Sequence, residues 1–338
     1  MGSLVLMLAM SAAAPGAAKE QPSWEAFIKA NRYACPGPFE TLKAPRELEL
    51  GGKKYKHTGY KLEVVNPDAD NKIVIGIVSA IKDVSEPTKA NVKSAFDWFK
   101  AEKVEWVIAN GDLALEELDL EEVIDMLAAP GLPVLTILGN SESKGSFARV
   151  FAEKAGKYPN LVNGVWVRDL VLDDVELWTL PGYYDKRFAR QGAGCLYKPE
   201  DVDDMAVALK PNAKLPIALV AHGPPHGKGK KALDWISDKL NVGDEKMNEL
   251  IERKGIAFGF FGHILEAGGA VVGQDMETPI KPNTPSPQLY LNAGSLSGDP
   301  WGMNDGSTSN GMAFIVTIEG NSAKYELKRF KPKPETEE

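Results

Sequence analysis

The chain has 338 residues, 43% of them hydrophobic and 25% charged, with 39 Lys and Arg against 47 Asp and Glu, so its formal net charge is −8. Such a chain can bury a full core without staples. Its acidic balance excludes a general nucleic-acid binder, whose affinity would rest on an excess of cations.

Residues 1–18 stand apart. Leu4 to Met10 is a short apolar run, and Ser11 to Ala18 is small and alanine-rich, with Gly16 and Ala18 placed as at a cleavage site. The pattern resembles a secretory signal peptide without its basic front, which implies export to a periplasmic or extracellular space; a flexible hydrophobic tail is the alternative. The run is too short to span a bilayer, and no later segment reaches the roughly 20 apolar residues a spanning helix needs. The two cysteines, Cys35 and Cys195, fit an oxidising compartment in which one disulfide would pin the extension to the body. Two unpaired buried thiols remain the other reading.

Residues 19–71 are expected to form an N-terminal extension. Ser23 to Asn31 has Trp24, Phe27 and Ile28 on one side of a short helix. Glu47 to Leu50 and Tyr55 to Val65 read as two strands about Gly51-Gly52, a hairpin at a sheet edge. His57, among Lys54, Lys56 and Lys61, is expected to be a solvated surface histidine. From 72 to 330 strands and helices alternate. Strands are expected at Ile73–Ser79, Val104–Asn110, Pro133–Leu138, Leu215 onward and Ile256 onward. Helices are expected at Thr88–Ala101, Glu116–Ala128, Ser143–Lys157, Pro199–Leu209 and Asp244–Lys254. Val165–Leu172 and Val175–Leu180 form an antiparallel pair turned at Asp173-Asp174, and three β-like stretches, Gln288–Asn292, Met312–Ile318 and Lys324–Phe330, precede a charged tail at 331–338. The alternation predicts an α/β fold with a parallel inner sheet and antiparallel additions.

Four of these strands share one grammar. Each is an apolar run that stops at a possible ligand beside a glycine: Gly111-Asp112, Gly139-Asn140, His222-Gly223 and Gly262-His263. Loops at the carboxyl ends of parallel strands form the ligand crevice of an α/β sheet, so four such ends can converge. Equally, Asp112 and Asn140 could serve as turn caps, with no metal bound.

This ordered set, closed by Asn292-Ala293-Gly294-Ser295, resembles the calcineurin-like metallophosphoesterase family. Its ordered motifs are Asp-x-His, Gly-Asp, Gly-Asn-His-Asp/Glu, His, and Gly-His-x-His. The resemblance implies a double β-sheet sandwich flanked by helices, two metal ions and phosphoester hydrolysis. The departures fall unevenly. The best register puts Ala80 and Lys82 at the first motif's Asp and His, Ser141 at the third motif's His, and Leu265 at the last motif's second His. By the family's pattern one metal keeps only Asp112, while its neighbour keeps Asp112, Asn140, His222 and His263, a carboxylate, an amide oxygen and two imidazoles that suit one Zn, Mn or Fe ion. Two ions about 3.5–4 Å apart normally clamp the phosphate and activate water, and a lost general acid costs about 10²–10⁴-fold.

The resemblance therefore implies an impaired or inactive member, a pseudoenzyme that binds one metal or an anionic ligand. An active mononuclear phosphoesterase acting on phosphate mono- or diesters is the alternative, and a purely structural protein the third. In the active reading Lys82 replaces one ion's charge, with Glu142 or His226 assisting. Lys82 is otherwise a solvated loop lysine, and His226, in the basic stretch Gly223 to Lys231, a residue of a solubilising, mobile loop. That stretch lacks P-loop spacing. Trp301 and Met303, in a glycine-rich loop, are available to touch a ligand or to pack.

Overall fold

The computed structural model describes residues 45–189, 194–210 and 214–331. The expected leader at 1–18, the helix at Ser23 to Asn31, Cys35 and nearly all of the charged tail lie outside these residues. Cys195 is fully buried and disulfide-bonded.

Two sheets face each other. The first, of nine strands, begins at its edge with β1 (Arg46–Leu50), β2 (Lys53–Thr58) and β3 (Lys61–Val64). It continues through β8 (Asp169–Val171), β9 (Glu176–Leu180), β10 (Ile217–Ala221) and β11 (Phe258–Phe261) to β13 (Leu289–Asn292) and β12 (Val271–Val272). The second, of six strands, runs β17 (Ser322–Arg329), β16 (Met312–Glu319), β4 (Lys72–Val78), β5 (Trp106–Asn110), β6 (Val134–Ile137) and β7 (Leu161–Asn163). β14 (Trp301–Gly302) and β15 (Thr308–Ser309) make a separate short ribbon. β4 to β7 are mutually parallel, as are β9, β10, β11 and β13. The sequence's α/β expectation thus resolves into a double sandwich.

Strand periodicity explains the layers. In β4, Ile73, Ile75 and Ile77 point into the space between the sheets, where they meet Phe314, Val316, Val220 and Phe258. The alternate face, with Val78, packs with Val107 and Ala109 of β5 under three helices: α1 (Glu86–Ala101), α2 (Glu117–Ala128) and α3 (Lys144–Ala155). On the other side Leu219 and Ala221 of β10 pack under α4 (Pro199–Ala208) and α5 (Glu245–Lys254). Capping fixes where helices begin: Ser85 accepts from the Thr88 amide ahead of α1, and Asp244 from the Lys246 amide ahead of α5.

Three expectations need correction. The stretch Tyr55 to Val65 is two strands, because Gly59 at φ 64° turns the chain back. His57 is buried at 4% exposure, because it shares the buried face of β2 with Tyr55 and alternates with the outward Lys54 and Lys56; Arg46 Nε donates to its Nδ1 at 3.1 Å, and burial lowers its pKa. The strand expected at Val165 to Leu172 is confined to β8, because Gly164, Val165 and Val167 bond to the β6–β7 end and its turn instead.

Candidate metal centre

The β5 end is built around Asn110. Its side chain is fully buried, and its Nδ2 donates to the carbonyls of Ala221 at 2.9 Å and Phe260 at 3.0 Å, so one amide ties the end of β5 to the ends of β10 and β11 across the two sheets. Its backbone oxygen accepts from Ser79 Oγ and from His222 Nδ1, each at 2.9 Å. Because a carbonyl only accepts, His222 carries its hydrogen on Nδ1, and Nε2 points into the cleft.

Nε2 of His222 lies 2.9 Å from Asn140 Oδ1 and 3.3 Å from Asp112 Oδ1. The Asn140 amide is oriented by its Nδ2, which donates to the Phe188 carbonyl at 2.6 Å. His263 completes the group: ligand atoms of Asp112, His222 and His263 all lie within 4.8 Å of one another and could hold a metal ion. Its ring stacks on Tyr183 at 3.8 Å between centroids and meets Phe188 edge-on at 5.6 Å, and its Nδ1 is buried with no hydrogen-bond partner among the described residues.

The glycines beside these residues make the approach possible. A Cβ on Gly139 would strike Asp112 Oδ1, and one on Gly111 would lie 2.6 Å from His222 Nδ1. The backbone itself is strained here. Asp112, His263, Ala80 and Lys82 all adopt positive φ, at 52°, 66°, 47° and 69°, conformations that for non-glycine residues gather at functional sites.

Electrostatics follow from this packing. Burial opposes the Asp112 charge, but His222, His263 and Lys82 together hold its carboxyl well below the usual range. Burial likewise opposes charging of His222, yet the adjacent Asp112 raises its pKa. His263 is lowered to about 3 by burial and by the His222 charge. A carboxylate, an amide oxygen and two imidazoles thus come together, a donor set that fits a divalent cation.

The other sequence candidates separate. Lys82 borders the centre: its amide donates to the Asp112 carbonyl at 3.3 Å, and its ammonium lies 5.1 Å from the centroid of the exposed Trp301 ring. Ala80 lies alongside, its amide donating to the Gly111 carbonyl at 2.9 Å. Met303 is buried. Glu142 is buried beneath the loops; its carboxylate accepts from the amides of Leu113 and, at 2.9 Å, Gly139, and burial with the Asp112 charge pushes it up to about 7. It therefore fastens the loops carrying Asp112 and Asn140. His226 belongs to another cluster: its Nδ1 is 3.5 Å from the fully buried Asp234, and its backbone is bracketed by Asn248. The loop around it is bonded rather than free, with Gly227 and Gly243 both donating to Asp234. Sequence reasoning missed Asn110, Tyr183 and Phe188. Asn110 had a signal, a polar residue inside an apolar run; the two aromatics had none.

A helix-flanked double sandwich with Asp, Asn and two His on four strand ends defines a metallophosphoesterase scaffold. Residues 85–267 match the calcineurin-like phosphoesterase family, and this chain belongs to that family, whose members bind divalent metals. Among solved structures, TT1561 of Thermus thermophilus is similar at 11% identity and TM-score 0.51, covering 77% of this chain and 99% of that one. A dimetal phosphatase from Danio rerio is similar at 11% identity and TM-score 0.49, covering 79% and 100%. At such identities the likeness concerns the fold. No curated protein matches the sequence.

Proposed function

We propose that this chain is a calcineurin-like phosphoesterase reduced to one metal position, which binds a single Zn, Mn or Fe ion and a phosphate-bearing or other anionic ligand, with hydrolysis weak or lost. Asp112, Asn140, His222 and His263 hold the ion. The observation that carries this reading is the meeting of His222 Nε2 with Asn140 Oδ1 and Asp112 Oδ1 at 2.9 and 3.3 Å beside the unpartnered His263 Nδ1. The second position is supported less well. Ala80, Lys82 and Leu265 stand where the family pattern has that ion's Asp and His ligands, Ser141 stands where it has the catalytic His, and the family match begins at residue 85.

A bound ion supplies Lewis acidity toward a phosphoryl oxygen. The chain's own residues contribute orientation and charge: Asn110 and Phe188 aim His222 and Asn140, Tyr183 fixes the His263 ring, and the Lys82 ammonium attracts the anion. Lys82 also favours the second reading, an active mononuclear phosphoesterase, since its charge already acts on Asp112 and His263. Assays with p-nitrophenyl phosphate and bis-p-nitrophenyl phosphate, with added Mn, Zn or Fe, separate the two. Turnover that depends on metal and disappears in Asp112→Asn establishes the second reading; metal binding without turnover establishes the first. We further propose that residues 1–18 direct export, which the apolar run and small-residue stretch support. Expression with and without these residues, followed by fractionation, tests that proposal.

A further inference from the structure

The end of the sandwich opposite Asp112 carries five carboxylates in one place. Asp68 and Asp70 lie on the connection from β3 to β4, where the chain leaves the nine-stranded sheet for the six-stranded one. Asp173 and Asp174 form the turn between β8 and β9, and Glu105 immediately precedes β5. Lys53, at the start of β2, pairs with Asp68 at 2.7 Å, Glu105 at 3.0 Å and Asp173 at 2.6 Å. One ammonium against five carboxylates leaves four negative charges in excess. Neither Asp70 nor Asp174 has an ion pair among the described residues.

Asp174 is the informative member. It is 8% exposed, and its Oδ2 is buried without a hydrogen-bond partner among the described residues. A buried, unpaired carboxylate oxygen is costly unless a cation or a proton meets it. Ligand oxygens of Asp68, Asp70 and Asp174 lie within 4.8 Å of one another, and so do those of Asp68, Glu105 and Asp173, so Asp68 joins two overlapping triads. Burial and the neighbouring acids push Asp174 up to about 6, which leaves it ionised and repelled at pH 8.

We propose that Asp68, Asp70 and Asp174 form a calcium site that clamps the crossover between the two sheets. All donors are carboxylate oxygens, the hard ligands calcium takes, and they sit on loops, where calcium's flexible coordination is easier to satisfy than the strict octahedron magnesium demands. Asp68 and Asp70 are exposed, so solvent completes the shell, and the affinity belongs with open sites at about 10⁻⁴–10⁻³ M.

The test is thermal unfolding at pH 8 with Ca²⁺ against EDTA, paired with calorimetric titration by Ca²⁺. It uses wild type, Asp174→Asn, Asp70→Asn and, as a control for the other centre, Asp112→Asn. With Ca²⁺ at ten times its dissociation constant, wild type and Asp112→Asn should each gain about 3 °C. Asp174→Asn should lose at least about two thirds of that gain and bind Ca²⁺ at least about tenfold more weakly, even though removing its charge stabilises the calcium-free protein. Asp70→Asn should weaken binding too. No Ca²⁺-dependent gain in wild type overturns the proposal, as does an equal gain in Asp174→Asn or a gain abolished by Asp112→Asn.

Discussion

Replacing Asn110 by alanine isolates one amide that joins three strand ends. The backbone oxygen that receives His222 Nδ1 and Ser79 Oγ survives the change, so only the side-chain links are removed. Two carbonyls, Ala221 at 2.9 Å and Phe260 at 3.0 Å, lose their donor in a fully buried place. Each orphaned buried acceptor costs about 1–3 kcal/mol. The Asn110 Oδ1 atom has no partner among the described residues, so its removal offsets part of that. The expected net loss is about 2–4 kcal/mol, or about 4–8 °C in Tm for a domain of this size. Urea unfolding at fixed metal concentration measures it, and titration with Mn²⁺ should show weaker binding, because the ends of β10 and β11 that carry His222 and His263 are no longer tied to the Asp112 strand. A loss below about 0.5 kcal/mol with unchanged metal affinity would refute the reasoning, since that is the scale of an ordinary surface substitution.

Four further outcomes follow from particular contacts. His263→Ala should weaken transition-metal binding at least about tenfold in calorimetry, in keeping with the effect of disturbing a metal's ligand shell. Lys82→Ala should weaken phosphate binding several-fold while leaving metal affinity equal or stronger, because a positive charge beside the ion is removed; the same titrations read both. Glu142→Ala should destabilise by about 2–4 kcal/mol in urea by orphaning the Leu113 and Gly139 amides, whereas Glu142→Gln, which keeps an acceptor, should cost less. Asp169 is pushed up to about 7 by burial and then by Glu176. Its folded pKa exceeds the unfolded one, so its contribution is intact below about pH 4 and is lost as pH rises toward 7 and beyond. Asp169→Asn should therefore be more stable than wild type at pH 8 and should flatten the decline in stability between pH 5 and 8.

The sequence revealed the elements that repeat a period and obscured those decided by neighbours. The runs ending at Asp112, Asn140, His222 and His263 were legible because strands buried on both faces read as continuous apolar stretches closed by glycine. The helix expected at Thr88–Ala101 was legible from helical spacing, although it starts earlier, at Glu86 behind the Ser85 cap, and the one expected at Asp244–Lys254 begins just after Asp244, which caps it. His57 misled because its flanking lysines point outward, while strand alternation turns the histidine inward. Glu142 looked like a cleft residue by its place in a motif, yet its carboxylate faces backbone amides. The stacking of Tyr183 and Phe188 on His263 had no local signature, since it depends on a loop after β9 meeting the end of β11. Nor does spacing along the chain bring Asp68 and Asp174 together; only the crossover between sheets does.

The most direct test of the one-metal account is transition-metal stoichiometry, measured by elemental analysis of protein loaded with Mn or Zn and freed of excess, beside Asp112→Asn. The account predicts close to one ion per chain in wild type and a marked fall in the variant. Two ions per chain, or a content indifferent to Asp112, would contradict it.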